Sequence, residues 1–179
     1  MTSKLVIGID PGRTGAAVVV SVETLRPLKW FTFDVGGPWG CLDKLTAVYN
    51  IHELTVFIEK VGASPQMGVV SAFSFGKSFG EILGYLAAYE VFPTQVAPQT
   101  WQTVVDIPAK LDEPAKERTR RWVESRGYRA MFTPPACRVP HSGLMDAYGI
   151  AVYGAKVLAG EIEPPNTEAK KPRRRAISF

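Results

Sequence analysis

A chain of 179 residues, 46% hydrophobic and 21% charged, has the length and balance of one soluble domain with a full core. No apolar run is long enough to span a bilayer, and Cys41 and Cys137, the only cysteines, are too few for a disulfide framework and form no Cys-x-x-Cys pair. The formal net charge of +4 admits an acidic partner such as nucleic acid without demanding one.

The N-terminus enters a strand at once, with no signal-peptide pattern, so a reducing, cytoplasm-like compartment is expected. Lys4 to Asp10 is an apolar run closed by Asp-Pro-Gly, the pattern of a buried strand entering a tight turn. Thr14 to Val22 and Leu28 to Phe33 read as two further strands, which makes the opening an antiparallel meander. Gly36 to Gly40 reads as a loop and Leu42 to Tyr49 as a helix. Thr55 to Glu59 is another buried strand ending on a carboxylate. After a Gly/Pro/Ser loop, Val70 to Tyr89 has helical character, with Phe73, Ile82, Leu83 and Leu86 available for burial. Gly76, Gly80 and Gly84 share one face of it. Such a face suits helix-on-sheet packing, a dimer contact or the approach of DNA.

Phe92 to Val96 reads as a strand, and Pro98-Gln-Thr-Trp101 as a turn into a short helix in which Trp101 is a packing residue. Glu113 to Arg126 reads as a basic helix with Pro114 in its first turn, and Met131 to Pro140 as a loop. Ser142 to Leu158 is a strongly apolar helix. Residues 1–160 are expected to form one domain and 161–179 a basic, flexible tail. In that tail Arg173, Arg174 and Arg175 form either a solvated end or an arm for phosphate. A meander followed by β/α alternation predicts an α/β fold, a mixed sheet with helices on its faces.

Three acids stand out. Asp10 and Glu59 each end an apolar strand, and open α/β sheets gather ligands at such strand ends. Asp146 lies on the first turns of the apolar last helix, where a charge needs a partner. Convergent carboxylates repel unless a cation joins them, and hard divalent ions take oxygen ligands. The bland alternatives are equally concrete. Asp before Pro-Gly is also an ordinary turn residue, and a glutamate at a strand edge is commonly solvated.

These segments, taken in order, resemble the RuvC-type Holliday junction resolvases, particularly their phage and phage-like branch. The matching residues are Ile7-Gly-Ile-Asp-Pro-Gly-Arg-Thr-Gly-Ala16, Phe57-Ile-Glu-Lys-Val61, and Ser71-Ala-Phe-Ser-Phe-Gly-Lys-Ser-Phe-Gly80 with Gly84. Val96-Ala-Pro-Gln-Thr-Trp101 and His141-Ser-Gly-Leu-Met-Asp-Ala-Tyr-Gly-Ile-Ala151 follow. The resemblance implies an RNase H-like five-stranded mixed sheet, a homodimer, and symmetric nicking of four-way DNA junctions with Mg²⁺ or Mn²⁺, two ions per active site. It implies Asp10, Glu59 and Asp146 as metal ligands, and the cytoplasm of a bacterial or phage-infected cell, or an organelle or nucleus in a eukaryote. It also exposes a departure: Ser142 stands where that branch carries an aspartate. Natural divergence, an engineered inactivating change, and a protein that binds junctions without cutting them well are all compatible with it. His141 is then the substitute ligand or general base, or simply a helix-cap residue.

Phosphate contacts are expected from Lys77, Lys110, Lys116, Arg118, Arg120 and Arg121 and from the C-terminal arginines, with Lys116 or Lys110 nearest the scissile phosphate. Met67, Phe73 or Phe75 would supply an apolar wedge between bases. One rival remains: Asp10-Pro-Gly-Arg-Thr-Gly15 is similar to the first phosphate loop of actin- and sugar-kinase-type ATPases. Those proteins close a second, duplicated domain over ATP, for which this length leaves no room.

Overall fold

A computed structural model describes residues 4–60, 62, 68–135 and 137–165. Met67 and Arg173, Arg174 and Arg175 lie outside the described residues. Five strands, β1 (Leu5–Asp10), β2 (Ala16–Ser21), β3 (Pro27–Thr32), β4 (Leu54–Glu59) and β5 (Thr94–Val96), form one sheet in the order β3-β2-β1-β4-β5. The first three pair antiparallel, while β4 runs parallel to β1 and β5 parallel to β4. This is the mixed five-stranded sheet that the sequence predicts.

The alternation of side chains sorts each central strand onto two faces. Ile7 and Ile9 of β1 and Val56 and Ile58 of β4 face one core, against α1 (Gly37–Thr46) and the C-terminal part of α2 (Val69–Ala88). Val6 and Phe57 face the other, against α5 (Ser142–Leu158). By the same alternation Gly8, Asp10 and Glu59 share the α5 side. A methyl group on Gly8 would overlap the Ala147 carbonyl oxygen and the Ala151 backbone. The bare Cα of Gly8 therefore lets α5 lie directly on β1.

The first helix differs from expectation. The Gly/Pro content of Gly36 to Gly40 reads as a loop, yet α1 begins at Gly37 and ends at Thr46. Proline is tolerated in a first turn, where its missing N–H would be an orphan. Gly36, at φ 80°, supplies the left-handed entry. The strand expected from Phe92 begins only at Thr94, and Phe92 is exposed. In α2 only Ile82, Tyr85 and Leu86 are buried, and Phe73, expected to be available for burial, is 75% exposed. Gly76, Gly80 and Gly84 have nothing within 4 Å of an added Cβ. They do not pack on the sheet, which removes one of their three readings. The short helix α3 (Pro98–Trp101) and α4 (Ala115–Ser125), preceded by Pro114 as its N-cap, complete the structure. Among the described residues no helix is long and apolar enough to cross a membrane.

Candidate functional site

The site is built by three approaches to the end of β1. In the parallel register Ile9 pairs with Ile58, so Asp10 and Glu59 follow on adjacent strands at the same sheet edge. The β1–β2 turn is tied down by the Gly12 N–H, which donates to Asp10 Oδ1 at 2.9 Å. The start of α5 then closes over this turn. A methyl on Gly143 would collide with the Thr14 carbonyl and lie 3.2 Å from Asp10 Oδ2. Only glycine allows the helix to begin so close to the carboxylate. Asp146 follows within the next turn, on the same helix face as Ser142.

Electrostatics shows how strongly these acids feel each other. Asp10 is pushed up to about 8, first by burial and then by the Asp146 charge, with Glu59 adding and the Gly12 N–H and Lys116 opposing. Asp146 is pushed up to about 7 by burial and by Glu59, with Lys116 opposing. Glu59 is raised by burial, against the Trp101 hydrogen bond and Lys116. Three acids in one low-dielectric corner therefore resist ionising together. Lys116, exposed at the start of α4, is the cation whose field reaches all three.

Among the described residues no three His, Cys, Asp or Glu side chains stand close enough to hold one metal ion as they are placed. The donor set nonetheless fits a hard divalent cation. It consists of carboxylate oxygens, whose joint ionisation burial and mutual repulsion make costly and which the opposing charge of Lys116 does not offset. A cation between them would let them ionise together.

Around the acids, the residues singled out from sequence take different places. Ser142 Oγ lies 3.5 Å from Thr14 Oγ1, forming a neutral hydroxyl pair where the resemblance expects a carboxylate. His141 is the N-cap of α5. Its Nδ1 accepts from the Leu144 N–H at 3.3 Å, and its Nε2 lies 3.8 Å from Asp34 Oδ1. Among the described residues no hydrogen bond or ion pair joins it to the three acids, so the cap role is the one its contacts display.

The basic candidates divide in two. Lys110 and Lys116 are exposed, and Lys77 is exposed beside Glu81 at 3.7 Å. Arg118 instead donates to the Val105 and Ile107 carbonyls at 2.6 and 2.9 Å. Arg121 forks onto Glu113 and donates to the Pro108 carbonyl at 2.9 Å. Arg120 pairs with Glu117. All three, expected as phosphate contacts, are engaged within the protein. Together with Trp122, which donates to Asp106 at 2.7 Å, Arg118 and Arg121 clasp the 105–113 loop to α4. That clasp fixes the helix from which Lys116 projects.

Two features were not legible beforehand. Trp101, expected only to pack, donates its indole N–H to Glu59 Oε1 at 3.3 Å. Arg13, Val70, Ser71, Ser74 and Phe75 line a cleft of about 280 Å³ between the β1–β2 turn and the start of α2. Val69, Val70 and Phe73 are exposed on that end of α2.

No protein-family model and no curated protein matches the chain. Solved structures do match its fold. RuvC of Thermus thermophilus aligns with a TM-score of 0.55 at 20% identity, covering 90% of this chain and 99% of that one. RuvC from T. thermophilus in complex with Holliday junction substrate aligns with a TM-score of 0.54 at 19% identity, with the same coverage. The meander, the parallel β4 and β5 and the flanking helices thus constitute the RNase H-like fold seen in RuvC.

Proposed function

We propose that this chain is a divalent-metal-dependent endonuclease that nicks four-way DNA junctions symmetrically and accepts other branched DNA, as a homodimer related to the phage-like RuvC branch. Residues 1–160 would be the nuclease domain, with the basic 161–179 segment adding phosphate contacts. The observation that carries the reading is the trio Asp10, Glu59 and Asp146. They are mutually repelling acids, two at the ends of the adjacent strands β1 and β4 and one in the first turns of α5, and burial makes their joint ionisation costly. The fold shared with a RuvC that has been solved on a Holliday junction supports the choice of substrate.

Asp10, Glu59 and Asp146 would hold Mg²⁺ or Mn²⁺, two ions in the full site. When bound, the metal supplies Lewis-acid polarisation of the phosphodiester and a more acidic attacking water. The chain's own groups do the rest. Lys116 faces the same corner and offsets charge that develops on the phosphate oxygens. Lys110 and Lys77 draw the DNA backbone in from exposed positions. Phe73, exposed at the start of α2, presents an apolar ring to an unstacked base step, with Met67 a second wedge. His141 orients α5 through its cap, and its Nε2 is the group available for proton transfer.

The neutral Ser142–Thr14 pair favours a second reading, a junction-binding module with weak cleavage. The two are separated by incubating an end-labelled four-way junction, a flap, a fork and a linear duplex with the protein in Mg²⁺ or Mn²⁺. Paired nicks at symmetry-related positions of the junction support the nuclease. Tight, metal-independent binding without product supports the module, and ATP turnover without nicking would revive the phosphate-loop rival.

A further inference from the structure

We infer that Trp101 is a positioning residue that fixes Glu59 relative to α5 and so sets the geometry in which the acidic trio takes up a cation. The inference rests on the metal-site reading above. Trp101 is 1% exposed and ends the four-residue helix α3, far from β4 in sequence. Its two edges do different things. The indole N–H donates to Glu59 Oε1 at 3.3 Å. The six-membered edge lies over Gly149, where an added Cβ would fall 2.6 Å from Cζ3 and 2.9 Å from Cε3. Gly149 is one turn beyond Asp146 on α5. One rigid ring therefore spans from the helix that carries Asp146 to the carboxylate that ends β4.

The chemistry suits that place. A tryptophan donates one hydrogen bond, accepts none and carries no charge. It occupies one lone pair of Glu59 and leaves the remaining carboxylate sites for a cation. A lysine or arginine there would neutralise the acid and compete with the metal. Among the described residues the indole is the only side-chain hydrogen-bond partner of the Glu59 carboxylate. Partners that orient a metal ligand from behind contribute about 10–100-fold in metal affinity.

The test measures Mn²⁺ binding to the full chain by electron paramagnetic resonance, with no DNA present. Wild type, Trp101→Phe, Trp122→Phe and Asp10→Asn are compared. Trp101→Phe keeps an aromatic ring and loses the N–H, and it is expected to weaken Mn²⁺ binding by about 10–100-fold. Trp122→Phe also loses an indole-to-carboxylate bond, to Asp106. It should bind Mn²⁺ as wild type does. Wild-type affinity in Trp101→Phe, while Asp10→Asn has lost binding, would overturn the inference and leave the metal site standing. Equal binding by wild type and Asp10→Asn, or none by wild type, would instead remove the metal-site reading beneath it.

A measurement on the unaltered chain covers the case in which Trp101→Phe fails to fold. In ¹⁵N-labelled wild type, Mg²⁺ should shift the Trp101 indole N–H resonance more than that of Trp122. A Trp101 signal that moves no more than the Trp122 signal would contradict the role.

Discussion

Asp10→Asn should stabilise the metal-free protein. In the fold the Asp10 carboxyl is pushed up from its ordinary 3.8 to about 8, because burial and the Asp146 charge penalise its ionised form. The folded state therefore holds this proton more tightly than the unfolded chain does. The resulting stability is complete below the unfolded pKa of 3.8 and is lost as pH rises through about 8. By neutral pH the unfolded chain has ionised while the folded site resists. At about 1.4 kcal/mol per pKa unit this gap is worth up to about 4 kcal/mol. Asparagine keeps the shape, still accepts from the Gly12 N–H, and carries no charge. Part of the repulsion is shared with Asp146, so the expected gain is about 2–4 kcal/mol. For a domain of this size that raises Tm by roughly 5–15 °C. The assay is thermal unfolding by circular dichroism in EDTA between pH 4 and 8.5. Wild type should lose Tm steadily with pH, Asp10→Asn should lose less, and the two should converge near pH 4. Adding Mn²⁺ should close most of the gap by raising wild type alone, since a ligand that binds only the folded state at 100 times its Kd contributes about 2.7 kcal/mol. An Asp10→Asn variant that melts at or below wild type in EDTA at pH 8 would refute the electrostatic reasoning.

Three further outcomes follow from the same geometry. Arg118→Met should lower stability in urea by about 1–3 kcal/mol, because the Val105 and Ile107 carbonyls lose their donors, whereas Lys116→Met should leave the urea midpoint within about 0.5 kcal/mol and slow cleavage. Ser142→Asp, which adds a carboxylate one turn ahead of Asp146, should speed junction cleavage and tighten Mn²⁺ binding while lowering the metal-free Tm; unchanged binding would mean that this position does not face the site. Gly8→Ala forces a methyl into the α5 backbone and should cost at least about 3 kcal/mol in chemical unfolding, with a near-neutral result disproving the close packing of α5 on β1.

What the sequence made legible was local and periodic. The β-branched run of β1 and the helical spacing of α5 are strong signals, and both elements appear within a residue of expectation. The acids at their ends could therefore be named together. Relations across the chain were hidden. Trp101 reads as packing because nothing local says that its N–H meets a carboxylate 42 residues earlier. Arg118 and Arg121 read as free cations because their partners, backbone carbonyls 11 and 13 residues away and the Glu113 carboxylate, lie in the preceding loop. The motif that contains Gly143 showed its place in order, but not that Thr14 would press on it. The start of α1 was missed for a different reason. Glycine and proline mark a loop on average, yet at a helix entry they supply the left-handed turn and the preset φ of the first turn.

We propose that Asp10, Glu59 and Asp146 together hold the metal with which the chain cuts branched DNA. The most direct test measures cleavage and binding of one labelled four-way junction by wild type and Asp10→Asn, in Mg²⁺ and in EDTA. Wild type should nick the junction only in Mg²⁺, and Asp10→Asn should give no product while retaining junction affinity. Cleavage by Asp10→Asn at the wild-type rate would contradict the proposal.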